Sequence, residues 1–267
     1  MKRTHDFAAG MIRAASQAGT GILLIDNPER KNAITAAMWR AIPEAMRWLC
    51  ADGEARVILM MGAGDSDFSA GADISEFPLV RKDTPTARLY EADNSRAFAA
   101  IRDSQVPVIA AIRGICYGGG FGLAAAADLR IAAEGSAFAV PAARLGLAYP
   151  ADAVQDFVQS LGTQMARKAL YTGAPMGADQ LLACGFLLDV LAPEALEIEA
   201  LKLADTIATN APLSIRASKM AIRAATQLDD DLLREAEVFG AATFDSADYA
   251  EGRAAFAAKR KPAFTGR

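Results

Sequence analysis

Histidine is almost absent from this sequence: the single one, His5, lies near the start of the chain. Residues close to a chain terminus are often poorly ordered. We therefore expect the first dozen residues to be loosely structured, and we expect no catalysis that depends on histidine.

Cysteines are few and widely separated, at Cys50, Cys116 and Cys184. Their odd number and their spacing match neither a zinc site nor a disulfide framework, which indicates a reducing compartment. Cys116 has no histidine nearby to generate a thiolate, so we interpret it as a core residue. We expect no metal and no separate cofactor.

Long apolar runs are missing as well, since no stretch of about 18 apolar residues is present to span a bilayer. The first residues are basic but lack an apolar segment followed by a cleavage site. We therefore expect a cytoplasmic, unprocessed protein without a membrane partner. The net charge of −4 gives no reason to expect nucleic-acid binding.

The composition is that of a globular protein, with 52% hydrophobic and 22% charged residues in a chain of 267. Short apolar runs without polar alternation predict buried parallel strands, and helical segments between them predict an α/β fold with crossovers. The expected strands are residues 19–26, 56–64, 106–114, two short pieces within 129–140, and 186–191.

Helical periodicity occupies the intervals and most of the chain after residue 150. Thr35 is a suitable N-cap for the first helix. The further predicted helices are 86–102, 119–127, 152–160, 163–171, 177–184, 194–209, 212–227 and 230–258. We divide the chain into an α/β core, residues 1–195, and a helical region, 196–267, that requires a partner surface.

Two glycine-containing loops follow predicted strands: residues 65–74, "DSDFSAGADI", and residues 114–124, "GICYGGGFGLA". Open α/β sheets bind ligands at the carboxyl ends of their parallel strands, where both loops would lie. One backbone N–H from each loop could point at a single oxygen and form an oxyanion hole. The helix predicted to begin at Gly119 would add its dipole to the field.

These loops also carry a resemblance. "FSAGADI", "VPVIAAIRGICYGGGFGLAAAADLRIAAEGSAFAVPAARLGL", "YTG", "CGFLLDVL" and "YAEGRAAFAAKRKPAF" together resemble the crotonase, or enoyl-CoA hydratase/isomerase, superfamily from near residue 19 to the end. The resemblance implies a spiral of ββα units with a helical C-terminal trimerisation region. It also implies a homotrimer or a dimer of trimers, and an acyl-CoA substrate.

The resemblance assigns roles to particular positions. The oxyanion hole would be formed by the backbone N–H groups of Ala72 and Gly119. The coenzyme A part of the substrate would lie along residues that we list as Arg30, Lys31, Ala33, Ala70, Asp73 and Ile74. Lys259 and Lys261 would contribute from a neighbouring subunit.

The sequence departs from the pattern at the two glutamates that hold water in the hydratases. The corresponding positions here are Gly122 and Ala142, and neither can transfer a proton. Asp152, which either handles a proton or caps a helix, is the nearest replacement; dienoyl-CoA isomerases use an aspartate in this loop at a slightly different spacing. Tyr149 is the second candidate and resembles a tyrosine of methylmalonyl-CoA decarboxylases. Those enzymes carry a histidine at the position of Ala72, and this sequence has none there.

The sequence thus predicts an enzyme of the enoyl-CoA hydratase/isomerase type that stabilises a thioester enolate. Atypical hydration, isomerisation and decarboxylation all remain open, as do a non-catalytic acyl-CoA-binding protein and a thioester hydrolase. Arg144 is expected to pair with a carboxylate, and Asp128 to be structural.

Overall fold

The computed structural model describes residues 2–267 and contains one large and one small sheet flanked by helices. The strands are β1 (Arg3–Phe7), β2 (Ile12–Gln17), β3 (Thr20–Ile25), β4 (Val57–Gly62), β5 (Val108–Ile112), β6 (Ile115–Tyr117), β7 (Leu129–Ala133), β8 (Ala137–Ala139), β9 (Met176–Gly177) and β10 (Asp189–Leu191). The α-helices are α1 (Ala36–Ala51), α2 (Phe77–Val80), α3 (Thr84–Arg102), α4 (Gly119–Ala126), α5 (Ala151–Thr172), α6 (Ala178–Ala183), α7 (Leu196–Ala208), α8 (Pro212–Gln227), α9 (Asp230–Ala242) and α10 (Ala247–Ala257).

The large sheet has seven strands in the order β1-β2-β3-β4-β5-β7-β10. From β3 to β10 all neighbours are parallel, whereas β1, β2 and β3 pair antiparallel. Every residue of β5 is buried, as expected of a parallel strand covered on both faces. The predicted α/β class and the six predicted extended segments are confirmed.

The small sheet, β6-β8-β9, places the second glycine-containing loop. Strand β6 begins directly after Gly114 and pairs in parallel with β8. Helix α4 then begins at Gly119, so a single residue, Gly118, connects β6 to α4. This short connection leaves the amide at the start of α4 beside the end of the sheet.

Helices cover both faces of the large sheet. The main core contains the inner faces of α1, α3, α4 and α5, and Thr35 caps α1 as predicted by accepting a hydrogen bond from the Met38 amide at 3.3 Å. On the other face, α7 packs Leu196, Ala200 and Ala204 against β4, β5 and β7. The division at residue 195 and the trimerisation role of the last helices stay predictions.

Residues 3–12 are ordered, so the prediction of a loosely structured start is wrong for them; Met1 lies outside the described residues. Strands β1 and β2 form an antiparallel hairpin on the edge of the sheet, in which Arg3 pairs with Ser16 and Phe7 pairs with Ile12. The ring of His5 lies against Trp48, with a centroid separation of 5.7 Å. Cross-strand hydrogen bonds order this exposed, polar strand, and composition does not report them.

Residues 230–258 do not form one continuous helix, so that prediction is wrong. The helix is interrupted by a 3₁₀ turn, Thr243–Asp245, and Ser246 then caps α10 by accepting a hydrogen bond from the Tyr249 amide at 3.0 Å. A serine that can cap a new helix competes with helix continuation. By contrast, the predicted interruption between 152–160 and 163–171 is present, since Gly162 has φ +71° within α5.

Candidate active site

The two glycine-containing loops lie side by side beyond the carboxyl ends of β4 and β5. The Ser69 amide donates to the Ile115 carbonyl at 3.0 Å, and the Tyr117 amide donates to the Ser69 carbonyl at 2.9 Å. On its other side the first loop pairs with Ile34, whose amide donates to the Gly71 carbonyl at 2.7 Å. Main-chain hydrogen bonds therefore hold the loops in register.

Two main-chain amides remain free at this junction. Within residues 2–267 neither Ala72 nor Gly119 donates its N–H to another protein atom. Gly119 is the first residue of α4, whose N-terminal amides have no partner within the helix and carry its positive dipole end. A Cβ placed on Gly71 would lie 2.9 Å from the Gly119 nitrogen, which shows how closely the two loops approach.

The glycine triplet is required by packing as much as by substrate approach. Gly118 has φ +50°, a conformation that glycine adopts without strain. A Cβ on Gly119 would lie 2.6 Å from Cζ2 of Trp39, and a Cβ on Gly120 would lie 2.7 Å from the Ser69 carbonyl oxygen. Each of these contacts is too short for a side chain, so the loops can meet only through bare backbone.

A cavity of about 100 Å³ opens at the two free amides. Its wall combines the two loops with aromatic and aliphatic side chains and with the polar side chains Arg81, Glu91 and Asn94. The lining residues are Trp39, Ala70, Ala72, Ile74, Phe77, Arg81, Glu91, Asn94, Phe98, Gly118, Gly119, Pro141, Ala142, Leu145, Leu147, Ala148, Tyr149 and Pro150. Apolar walls with a few polar groups are typical of small-molecule sites.

Tyr149 occupies the space where a side chain at position 122 would project. A Cβ on Gly122 would overlap the Tyr149 hydroxyl oxygen and lie 2.8 Å from Cε1 of Phe98. The hydroxyl donates to the Gly118 carbonyl at 2.9 Å. Burial raises the pKa of Tyr149 well above its usual value, so the phenol keeps its proton.

Ala142, at the second glutamate position of the hydratases, lies on the cavity wall. It follows Pro141, which begins a 3₁₀ turn, Pro141–Leu145. Neither Gly122 nor Ala142 brings an ionisable group into the cavity.

The structure does not bring Asp152 to the cavity wall. Asp152 lies in the first turn of α5 and accepts a hydrogen bond from the Ser95 hydroxyl at 3.1 Å. The residue that precedes α5 is Pro150, and no side chain caps the helix. The prediction that Asp152 caps a helix is therefore wrong. Its catalytic role stays a prediction.

Glu91 is one of the lining residues that sequence reasoning missed, and it is the only carboxylate among the lining residues. It lies on α3, and its carboxylate is 2.6 Å from the guanidinium of Arg81. Burial raises the pKa of Glu91, an effect that Arg81 and a hydrogen bond from Asn94 oppose and that nearby Asp152 reinforces. Helical periodicity alone places Glu91 on α3 and does not show that α3 faces the glycine loops.

The predicted coenzyme A residues lie on two contacting segments, the turn before α1 and the first glycine-containing loop. Arg30 pairs with buried Asp73 at 3.0 Å, and the Ala70 amide donates to the Lys31 carbonyl at 2.9 Å. Partial burial works against ionisation of Asp73, but hydrogen bonds from Ser75 and the charge of Arg30 lower its pKa overall. Ala33 is buried behind this loop.

Ile74 is 67% exposed and, with Ala70, contributes to the cavity wall. Lys259 and Lys261 are exposed beyond α10. The segment that follows them lies at the amino end of β4, where the Phe264 carbonyl accepts a hydrogen bond from Arg56 at 2.8 Å. Within one subunit these lysines are therefore remote from the cavity, and their contribution across subunits stays a prediction.

Three further residues have settled positions. Arg144 donates to the Thr172 carbonyl at 3.2 Å and pairs with no carboxylate in the described chain, so that prediction is wrong. Asp128 has the predicted structural role, because it accepts hydrogen bonds from the Val108 amide at 2.7 Å and from Lys219 at 2.8 Å. Cys116 is fully buried, and burial raises its thiol pKa.

A larger cavity, about 770 Å³, lies between the end of α4, helix α5 and helix α8. Its charged groups already have partners within the protein: Arg102 pairs with Asp156 at 2.7 Å, and Arg130 donates to main-chain carbonyls. Within residues 2–267 no group of three or more side chains is arranged to hold a metal ion. None of the described helices has the length and apolar character needed to cross a bilayer.

A profile of the enoyl-CoA hydratase/isomerase family matches residues 15–267. The chain belongs to this family. The crotonyl-CoA hydratase of Syntrophomonas wolfei is 34% identical over 245 residues, covering 91% of this chain and 93% of the relative. The methylmalonyl-CoA decarboxylase of Escherichia coli is 32% identical over 213 residues, covering 79% and 80%.

Solved structures agree with this assignment. The crystal structure of an enoyl-CoA hydratase/carnithine racemase from Magnetospirillum magneticum superposes with a TM-score of 0.90 at 33% identity, covering 96% of each chain. The predicted resemblance and the crotonase fold are therefore confirmed. Relatives in the enoyl-CoA hydratase/isomerase family carry out hydration in one case and decarboxylation in another, so membership alone does not fix the reaction of this chain.

Proposed function

We propose that the protein is an acyl-CoA enzyme that stabilises the enolate of a thioester. The observation that carries the proposal is the pair of free amides, Ala72 and Gly119, at the end of one cavity. When an enolate forms, the electron pair moves onto the thioester oxygen, and two preorganised donors stabilise the new negative charge. Removing one such donor typically costs about 3–4 kcal/mol of barrier.

The size of the cavity favours a short acyl group. Its volume of about 100 Å³ is small, since pockets that enclose a whole drug-sized ligand span roughly 300–1,000 Å³. The acyl part would enter between Trp39, Phe98 and Tyr149. Coenzyme A would remain outside along Arg30, Lys31 and the residues near them, where the cation of Arg30 is 56% exposed.

Isomerisation, decarboxylation and atypical hydration all pass through such an enolate. The two-glutamate route of the hydratases is not available, because position 122 carries glycine and position 142 carries alanine. A reaction that needs one proton-transfer group, or none, suits this cavity better than one that needs two. We therefore place isomerisation and decarboxylation before hydration.

The decisive experiment measures enolate formation without assuming the final product. Butyryl-CoA, crotonyl-CoA and methylmalonyl-CoA are incubated with the protein in D₂O, and mass spectrometry follows deuterium at the α-carbon. We expect enzyme-dependent deuterium incorporation or product formation with at least one of the three. S-butyl-CoA, a thioether without the carbonyl, is the matched ligand and should bind more weakly than butyryl-CoA.

A binding-only role is favoured by one specific observation, the absence of both glutamates. In that case butyryl-CoA binds, but neither exchange nor conversion occurs with any thioester. A hydrolase would instead release coenzyme A thiol, which a thiol-reactive dye detects. Either result would overturn the enolate proposal while leaving the family assignment intact.

Assembly as a homotrimer or dimer of trimers remains part of the proposal, together with a cytoplasmic location. Helices α8 to α10 expose large apolar side chains, among which Val238 is 73% and Phe256 is 88% exposed in the single chain. Exposed apolar patches of this kind mark interaction surfaces. Light scattering should give three or six times the subunit mass.

A further inference from the structure

Glu91 is the one carboxylate among the lining residues of the candidate active site. Its side chain is 33% exposed, enough to meet a ligand and too little to be fully solvated. The other ionisable groups on the wall are Arg81 and Tyr149. Since the phenol of Tyr149 keeps its proton, Glu91 is the only group on this wall that can accept one.

The hydrogen-bond network around Glu91 is incomplete. Arg81 contacts one carboxylate oxygen at 2.6 Å, and the Asn94 amide reaches the other at 3.4 Å. Within the described chain, the buried Oδ1 of Asn94 and Nε of Arg81 have no hydrogen-bond partner. Buried polar atoms normally find a partner, so Arg81 and Asn94 hold Glu91 without using all of their hydrogen-bonding capacity.

We propose that Glu91 is the proton-transfer residue of this enzyme, replacing the two glutamates that the chain lacks. Resting on the enolate function proposed above, the step begins with a C–H bond of the acyl chain breaking. Its proton passes to the Glu91 carboxylate, and the electron pair moves through the α-carbon onto the thioester oxygen. In D₂O the protonated Glu91 exchanges its proton for deuterium from the solvent, and delivery of that deuterium to the same carbon gives isotope exchange. Delivery of the proton or deuterium to a different carbon gives a double-bond isomer.

Arg81 is placed to tolerate the change of charge on Glu91. Its guanidinium lies 4.3 Å from the Phe77 ring centroid and 5.1 Å from that of Tyr90. Cations bind to aromatic faces independently of any carboxylate. The arginine therefore stays in position when Glu91 becomes a neutral acid, and its charge assists the return of the carboxylate to the ionised form.

Two charged groups and one amide act on Glu91. Arg81 follows α2 and favours the carboxylate, Asn94 on α3 donates to it, and Asp152 on α5 disfavours ionisation. Burial adds to the effect of Asp152. A carboxylate held in this balance is a stronger base than an exposed glutamate, which suits removal of a weakly acidic proton.

The test compares Glu91→Gln with wild type in the D₂O exchange assay. The amide has the same shape but cannot accept a proton, so the exchange rate should fall by about 10² or more. The dissociation constant for butyryl-CoA should change less than about threefold, because the backbone amides still bind the carbonyl. Glu44→Gln, an exposed change on α1, is the matched control, and Glu91→Asp should restore part of the rate.

The pH profile separates proton transfer from a purely structural role. The wild-type rate of deuterium exchange should rise with pH as Glu91 loses its proton, which gives an ascending limb in the pH profile. In Asp152→Asn this limb should move to lower pH, because a repelling charge is gone. Glu91→Gln should lack the limb.

Exchange in Glu91→Gln within threefold of wild type, or a 10²-fold loss in Asp152→Asn instead, would overturn the role of Glu91. If wild type itself gave neither exchange nor conversion, the enolate function would fail first.

Discussion

One part of the cavity wall, the amide wall, is main chain, and another part, the side-chain wall, is side chains. Ala72 and Gly119 present amides that hydrogen bonds between the loops after β3, β4, β5 and β6 hold in place. On the side-chain wall, Glu91 and Tyr149 come from α3 and from the segment before α5, and they depend on packing of long side chains. The first wall is built from glycine and alanine, the second from aromatic and charged residues.

The two walls therefore change differently when the sequence changes. The amide wall needs glycine at several positions, because a Cβ at Gly71, Gly119 or Gly120 would lie less than 3 Å from a neighbouring atom. On the side-chain wall, one side chain can take the volume of another: Tyr149 fills the volume that Gly122 leaves empty. A family can thus keep thioester polarisation while its members use different groups for proton transfer.

The largest effect should come from Gly71→Ala on the amide wall. The new Cβ would lie 2.6 Å from the Tyr117 carbonyl oxygen and 2.9 Å from the Gly119 nitrogen, at φ +86°. The two loops must move apart, so the rate of α-deuterium incorporation should fall by about 10²–10³, the effect of losing one oxyanion donor. Thermal unfolding should show a lower Tm.

Gly135→Ala is the matched control for Gly71→Ala. It has a similar φ of +77°, but a Cβ there meets nothing within 4 Å. The variant should lose about 1–2 kcal/mol of stability through the left-handed conformation and keep wild-type exchange. Equal activity losses in both variants would mean that backbone strain, rather than the spacing of the two amides, sets the rate.

The amide wall could be predicted from the sequence, since glycine-containing loops after successive parallel strands meet at one sheet edge by topology. Topology predicts one amide from each loop, and the resemblance to the crotonase superfamily assigned these amides to Ala72 and Gly119. Glu91 could not be, because whether a helical residue faces the cavity depends on how α3 packs against α1 and α4. The same reason explains Asp152, which is near the site in sequence but turns toward Ser95.

The N-terminal hairpin was missed for a related physical reason. Strand β1 has four exposed residues out of five, and its order comes from pairing with β2 rather than from burial. Hydrophobic pattern reports burial, so it predicts the inner strands well and an exposed edge strand poorly.

A smaller effect is expected from restoring the missing glutamate. Gly122→Glu alone should lower both Tm and exchange, because its Cβ overlaps the Tyr149 hydroxyl and crowds Phe98. Adding Tyr149→Ala vacates that space and removes the ring that stacks on Phe98 at 6.4 Å. The double variant should therefore be more stable than the sum of the single changes predicts, with a coupling energy of about 1–3 kcal/mol.

Urea unfolding of the four proteins in this cycle measures the coupling directly. Hydration of crotonyl-CoA, followed in parallel, should be higher in the double variant than in Gly122→Glu. Strict additivity of the two changes would show that Tyr149 does not take the place of a side chain at position 122.

The smallest effect should come from Tyr149→Phe, which removes only the hydroxyl. Its hydrogen bond to the Gly118 carbonyl is lost, but that carbonyl still accepts from the Gly122 amide at 3.0 Å. We expect a stability loss of about 0.5–1.5 kcal/mol and less than a tenfold change in exchange. Because burial raises the pKa of Tyr149, ionisation of the phenol should produce no alkaline decline in the wild-type rate up to about pH 9. A decline present in wild type and absent from Tyr149→Phe would instead make the phenol a proton donor, and the side-chain wall would then hold two titrating groups rather than one.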